Sequence, residues 1–309
     1  MKINLREVTT KIDGESVSGV VYVKTKDIKL TKNKSKYCQG MLVDGKDMVS
    51  FKVWSDYLDK FCEITDNNPI VTIRGKVNVY NGTVSIVITD ANNFNEGFKA
   101  SDFVIGHDRN LIEKEFYEIN NRLLSTNGLA ILNKIIDGEI KERFFLEYAG
   151  MMMHDACPSG VANHTLKMLK LAETLINNDT RITEEMKELI VLGINLHDVG
   201  KVREMLDGAY QKNSFVSHRE FGVEFLKENK DFIVSVYNED FYYRLVSIIR
   251  GHHDVYEEPA KTIYAYIVHL IDMVDSQMTH FLDVIEADGL TEESSGEKCI
   301  KCYDKKLYV

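Results

Sequence analysis

Near residue 98 the chain changes its hydrophobic period, and that change fixes the kind of folding units it can form. Before it, apolar and β-branched residues alternate in short runs, as in Val17-Ser-Gly-Val-Val-Tyr-Val23. Period two places successive side chains on opposite faces of a strand. Tyr37 to Val43 and Met48 to Trp54 flank a Val-Asp-Gly-Lys-Asp turn, and Ile70 to Tyr80 and Thr83 to Ile88 flank Asn81-Gly82. Both are hairpin signals. A short helix is expected over Ser55–Cys62, so five strands with a helix between the third and fourth describe a Greek-key barrel of the OB type. From about Asp108 the spacing turns helical, with one or two helices over 109–150 and others over 161–177, 184–198, 218–229, 240–252 and 260–285. The expected fold class is α+β in two domains. A five-stranded OB-type barrel covers 1–98, a linker with helices covers 99–150, and an all-α domain covers 151–309.

At 309 residues, 44% hydrophobic and 28% charged, the chain can bury a core in each half. No uncharged apolar stretch approaches the ~18–20 residues that cross a bilayer. The N-terminus MKINLREVTTKIDGES lacks the apolar run of a signal peptide. A cytoplasmic protein without a membrane partner is expected, and a homo-oligomer is compatible with the sequence. The five cysteines are odd in number and scattered, which suits free thiols in a reducing compartment. Cys299-Ile-Lys-Cys302 has no second pair nearby to complete a structural zinc site, so it reads as ordinary tail. Net charge is −10, unevenly placed: residues 1–98 carry 14 Lys/Arg against 12 Asp/Glu, and the remainder 24 against 36. A polyanion would therefore meet the first half more easily.

The residues richest in chemistry are Asn195-Leu-His-Asp-Val-Gly-Lys201. The helix before them has Thr183 as a plausible N-cap and Glu184 and Glu185 in its first turn. Its apolar stripe runs Met186, Ile190 and Gly193/Ile194 to His197, and Gly200 is expected to stop it. Burying an imidazole and a carboxylate is costly unless they are paired or bind a metal. Alone, the pair reads equally well as a satisfied core histidine. But His164 continues into the stripe Met168, Leu171, Leu175; His218 opens the next helix; His252-His253 closes another; and Asp272 follows Ala265 and Val268. Such a series calls for a shared ligand. Imidazoles and carboxylates without thiolate suit Mn²⁺, Fe²⁺, Co²⁺ or Mg²⁺, and a bridging carboxylate suits two ions.

This order of residues resembles the HD superfamily of phosphohydrolases. Over residues 10–309 the chain resembles the YhaM family of 3′–5′ exoribonucleases, in which an OB-fold precedes an HD domain. The matching stretches are HDACPSGVANHTLKMLKLAETL from His154, GINLHDVGKVREML from Gly193, Ser217 to Leu226, Gly251-His-His253, and His269 to Asp275 with Gln277-Met278. The ending Asp304-Lys-Lys-Leu-Tyr308 is similar too. The resemblance implies His164, His197, Asp198 and Asp272 as core metal ligands, with Asp198 bridging two ions, Mn²⁺ foremost. His218, His252 and His253 would complete a second or wider site. Lys201 would touch substrate phosphate. The chain departs from the family at Met151-Met-Met-His154-Asp155 and at Pro158-Ser159-Gly160. These changes bear on substrate preference more than on metal binding.

Two ions about 3.5–4 Å apart would generate a hydroxide that attacks the terminal phosphodiester. Lys201, with His154 or Arg203, would hold the phosphate. In the first half, Lys24, Lys26, Lys29, Lys32, Lys34 and Lys36 crowd the expected first loop, with Tyr22, Tyr37, Phe51 and Trp54 on neighbouring strands. Lys24, Lys26, Lys32, Lys34, Lys36, Tyr37 and Trp54 are the candidate nucleic-acid contacts, since OB-folds bind oligonucleotides there and aromatic faces stack bases. The competing reading is that the aromatics fill the barrel and the lysines only solvate a loop. At the level of function, a 3′–5′ exonuclease on single-stranded RNA, or DNA, competes with an HD phosphohydrolase of a nucleotide or cyclic nucleotide. The third reading is a non-catalytic binding protein.

Overall fold

The structure is a computed structural model. It describes all residues except 32, 46, 81, 94–96, 151–154, 207, 212–214, 255–257, 289–298, 303–304 and 309, and the side chains of 67, 209 and 283–308 also fall outside it. The chain forms two compact units, Met1–Gly106 and His107–Val309.

In the first unit a single turn of helix, α1 (Leu5–Val8), precedes β1 (Ser16–Leu30), β2 (Lys36–Asp44) and β3 (Asp47–Trp54). Then come α2 (Ser55–Asn67), β4 (Ile70–Tyr80) and β5 (Thr83–Asn92). The strands close into a barrel in the order β1-β2-β3-β5-β4, with β3 and β5 parallel and the other neighbours antiparallel. Five strands and a helix between the third and fourth are as the alternation predicts. The two hairpins predicted from the sequence each turn on a glycine with positive φ, Gly45 at 66° and Gly82 at 78°, where an L side chain would be strained. Lys46 and Asn81, the other turn residues, lie outside the described residues. Leu42, Phe51, Val53, Val71, Ile73 and Ile86 fill the interior, as the inward half of a period-two pattern must.

The second unit opens with α3 (Arg109–Leu123), α4 (Thr126–Ile135) and α5 (Gly138–Phe144). Residues 99–150, expected to link the halves, are thus divided between the units. Ile112, Phe116, Ile119, Leu132 and Phe144 bury themselves in the same core as the later helices, because three short amphipathic helices cannot leave those faces wet. Next are α6 (Gly160–Asn178), α7 (Glu184–Leu196), α8 (Lys201–Glu204), the two-residue strands β6 (Met205–Leu206) and β7 (Ala209–Tyr210), α9 (His218–Glu228), α10 (Lys230–Val236), α11 (Glu239–Gly251) and α12 (Ile263–Asp288). A hairpin of β8 (Cys299–Cys302) and β9 (Lys305–Tyr308) ends the chain. The side chains of Cys299 and Cys302 lie outside the described residues. Helical cores dominate this unit, with the two short hairpins as its strands.

Helix α7 differs from expectation in one respect. Instead of a single apolar stripe, every residue from Glu188 to Leu196 is buried, because α3, α4, α6, α11 and α12 all pack around it. Its polar members are satisfied: Asn195 exchanges amide hydrogen bonds of 2.7 and 3.1 Å with Asn120, and Glu188 accepts from the Tyr237 hydroxyl at 3.0 Å. No helix among the described residues is long and apolar enough to cross a membrane.

Candidate metal centre

Thr183 caps α7 by accepting from the Met186 N–H at 3.3 Å, and the helix ends with His197 as its C-cap. The last carbonyls of a helix lack intrahelical donors. His197 uses one of them: its Nδ1 lies 2.7 Å from the Ile194 carbonyl oxygen. His252 caps α11 in the same way, with Nδ1 2.8 Å from the Ile249 carbonyl oxygen. The His252 carbonyl is in turn held by Nδ1 of His269 at 2.7 Å. Two other imidazoles reach carboxylates instead: Nδ1 of His164 lies 2.7 Å from Asp275 Oδ2, and Nδ1 of His218 lies 3.1 Å from Glu204 Oε2. Carbonyls and carboxylates only accept, so each of these rings carries a proton on Nδ1, and Nε2 is the nitrogen it can offer to a cation.

Those Nε2 atoms converge. Asp198 Oδ2 lies 3.4 Å from His197 Nε2, and Asp198 Oδ1 lies 3.4 Å from His218 Nε2 and 3.9 Å from His252 Nε2. His164 Nε2 is 3.2 Å from Asp272 Oδ1. Ligand atoms of His164, His197 and Asp272 all fall within 4.8 Å of one another, as do those of His218, His252 and His253. Asp198 stands between the two groups. The buried Nε2 atoms of His197, His218 and His252 and Oδ1 of Asp198 have no hydrogen-bond partner among the described residues. Four such buried atoms close together would be costly without partners, and divalent cations held by the two groups would satisfy them. The donor set fits the metal expected from the sequence.

The charge states agree with that fit. Burial opposes ionisation of Asp198, but Lys201 and His197 outweigh it and hold the carboxyl well below the usual carboxylate range. Burial, with His253 and His197 nearby, keeps His252 neutral by depressing its pKa well below the ordinary value. Burial likewise lowers His253. Although burial opposes protonation of His164, Asp272 and Asp275 on either side push it up to about 10. A cation would have to displace that proton.

A third acidic group, Asp155, His164 and Asp275, also has ligand spacing, but Lys167 stands in it. The Lys167 ammonium lies 2.7 Å from Asp155 Oδ2, 3.1 Å from Asp275 Oδ2 and 2.6 Å from Thr279 Oγ1, so this group carries its own cation. Asp155 also meets His107 Nε2 at 2.8 Å and Asn163 Nδ2 at 2.7 Å. Sequence reading missed Asp155, Lys167, Glu204 and Asp275 as parts of the site. The signal for Lys167 and Asp275 was their three-residue spacing from His164 and Asp272.

Lys201 donates to Asp198 Oδ2 at 2.6 Å and to the Ala149 carbonyl oxygen. Arg203, named as a phosphate contact, is committed elsewhere: it pairs with Glu224 and Glu228 and lies 3.9 Å over the Phe225 ring. His154 lies outside the described residues. Gly200 does not stop α7 by a left-handed turn; its φ is −66°. A Cβ at Gly200 would run into the His218 carbonyl oxygen and Gly222 N–H, so glycine is required for backbone contact between this turn and α9.

In the barrel, Tyr22 and Phe51 are buried, as core readings require. Tyr37 and Trp54 are cross-strand partners with ring centroids 5.4 Å apart, and Trp54 is 44% exposed. Lys34 and Lys36 are exposed and Lys24 half-buried. Lys26 is diverted to Thr65 Oγ1 at 2.8 Å and to Asp66. Lys32 lies outside the described residues.

The HD domain family matches residues 161–277, the span that holds all seven expected metal ligands, from His164 to Asp272. The chain is 25% identical over 283 residues to the 3′-5′ exoribonuclease YhaM of Shouchella clausii (strain KSM-K16), covering 86% of this chain and 85% of that one. Among solved structures, two crystal structures of the mitochondrial single-stranded DNA binding protein Rim1 of S. cerevisiae match 26% and 28% of this chain, and 94% and 100% of their own, at 15% identity, with TM-scores of 0.22 and 0.24. The chain thus joins a closed barrel to an HD domain and is similar to a 3′-5′ exoribonuclease along most of its length.

Proposed function

We propose that the protein is a divalent-metal-dependent 3′–5′ exonuclease that hydrolyses phosphodiester bonds of single-stranded RNA. The observation that carries the metal-dependent part is the buried cluster of unpartnered Nε2 atoms of His197, His218 and His252 near Asp198 Oδ1. His164, His197 and Asp272 would hold one ion, His218, His252 and His253 a second, and Asp198 both. Mn²⁺ is the preferred ion. Bound there, the ions would supply a water of lowered pKa and positive charge beside the phosphoryl oxygens.

The chain's own residues do the rest. Lys201 keeps Asp198 ionised, and with two of its three N–H donors given to Asp198 and Ala149, the third is offered to a phosphate oxygen. In the barrel, the exposed face of Trp54 beside Tyr37 offers a stacking platform for bases, and Lys24, Lys34 and Lys36 offer charge to the backbone. The exoribonuclease activity named for the Shouchella clausii relative supports RNA as the substrate and the 3′ end as the point of attack.

Incubation of the whole chain with Mn²⁺ and 5′-labelled oligoribonucleotides tests the reading. A ladder shortening from the 3′ end is expected. Turnover of mononucleotides or cyclic nucleotides alone would replace RNA with a small substrate, and binding without cleavage would end the enzymatic reading.

A further inference from the structure

Four of the imidazoles at the centre make Nδ1 contacts, and these are of two kinds. His197 and His252 lean on backbone carbonyls of their own helices, which no side-chain substitution removes. His164 and His218 depend on carboxylates. Asp275 Oδ2 accepts from His164 Nδ1 and also takes the Lys167 ammonium, so it is committed away from the centre. Glu204 Oε2 accepts from His218 Nδ1, and both side chains are buried.

We propose that Asp275 and Glu204 are positioning residues, each fixing the tautomer and ring orientation of one metal-binding histidine and each acting on a different ion. Asp275 serves His164, in the group with His197 and Asp272; Glu204 serves His218, in the group with His252 and His253. Partners of this kind determine which nitrogen is offered to a cation and hold the ring in place for it. Helix α12 therefore contributes twice. Asp272 would be a ligand, and Asp275, three residues on along the same helix, orients the histidine that faces it. Lys167 keeps Asp275 from turning inward, because its ammonium joins Asp275 to Asp155 and Thr279.

The inference rests on the metal-site reading, and one titration separates their fates. Mn²⁺ binding to the full chain, its Asp275→Ala, Asp275→Asn, Glu204→Ala and Glu204→Gln variants is followed by competition with a chromogenic chelator. The wild-type chain should bind in two steps. Asp275→Ala should weaken one step about 10–100-fold and leave the other, and Glu204→Ala should weaken the step that Asp275→Ala spares. The amide variants can still accept the Nδ1 proton through their carbonyl oxygen, so they should recover part of the affinity. That recovery is not expected of a residue that only fills space. Wild-type binding with all four variants unchanged, or with both alanine variants weakening the same step, overturns the inference while sparing the metal site. A wild-type chain that binds no Mn²⁺ overturns both.

Discussion

Asp198 lies between His197 and His218, with one carboxylate oxygen 3.4 Å from each imidazole Nε2. It touches both halves of the site, and the strongest functional prediction concerns it. Asp198→Asn keeps the shape but removes the charge that two cations would share. Hydrolysis should fall to background while far-ultraviolet circular dichroism stays unchanged. Asp198→Ala should do worse, because Lys201 then has a buried ammonium without its carboxylate, a destabilisation on the order of 3–5 kcal/mol. Wild-type rates in either variant would remove the centre from the chemistry.

Metal should also be visible in stability. A ligand that binds only the folded state at 100 times its Kd adds about 2.7 kcal/mol. Melting in excess EDTA and in excess Mn²⁺ should therefore differ by several degrees, and the difference should vanish in a His197→Ala, Asp272→Ala double variant. A Tm that ignores both additives would speak against a resident ion.

The pair His107–Asp155 makes a pH prediction. Asp155 pushes the His107 pKa from the usual 6.5 up to about 10. A pKa raised on folding adds stability that is complete below the unfolded value and is lost as pH rises through the folded one. The Tm gap between wild type and His107→Gln should be widest below about pH 6.5 and close by about pH 10. Burial opposes ionisation of Asp155, but His107 and Lys167 hold it well below its usual 3.8, so its own contribution is lost only as pH falls under that value. A gap that stays constant between pH 5 and 10 would show that the pair is not titrating.

The barrel face makes a salt prediction. Reversing Lys34 and Lys36 to Glu should weaken single-stranded RNA binding and flatten the log–log salt dependence by about 0.7 for each phosphate no longer neutralised. Trp54→Ala should cost about 1–3 kcal/mol of binding with little change in that slope, since stacking is not ionic. Filter binding across a salt series distinguishes the two. If both variants bind like wild type, the platform lies elsewhere.

Much of the fold is legible in the sequence. The alternation before residue 98 and the glycines at 45 and 82 describe the five strands because turn and pleat are local physics. Thr183 announces α7 for the same reason, and His197-Asp198 at its end is visible as a pair. What escapes is non-local. Asp275 meets His164 across 111 residues of chain, and Lys26 finds Asp66 across 40. Neither spacing leaves a periodic trace. Gly200 misleads for a related reason: a glycine that ends a helix and one that admits a neighbouring backbone look identical in a string of letters. Even α7 reads as half-exposed, since nothing in it says how many helices will surround it.

Gly200 has a further consequence. Where the turn after Asp198 meets the first residue of α9, main chain rests on main chain, with no side chain between to lengthen, rotate or be exchanged. The distance from Asp198 to His218 is thus set by a rigid stop rather than by adjustable packing. Substitutions elsewhere in the core can shift the other helices, but this backbone contact between the turn and α9 resists them. The selectivity of such a pocket among cations of different radius would then be a property of the fold, difficult to retune one residue at a time.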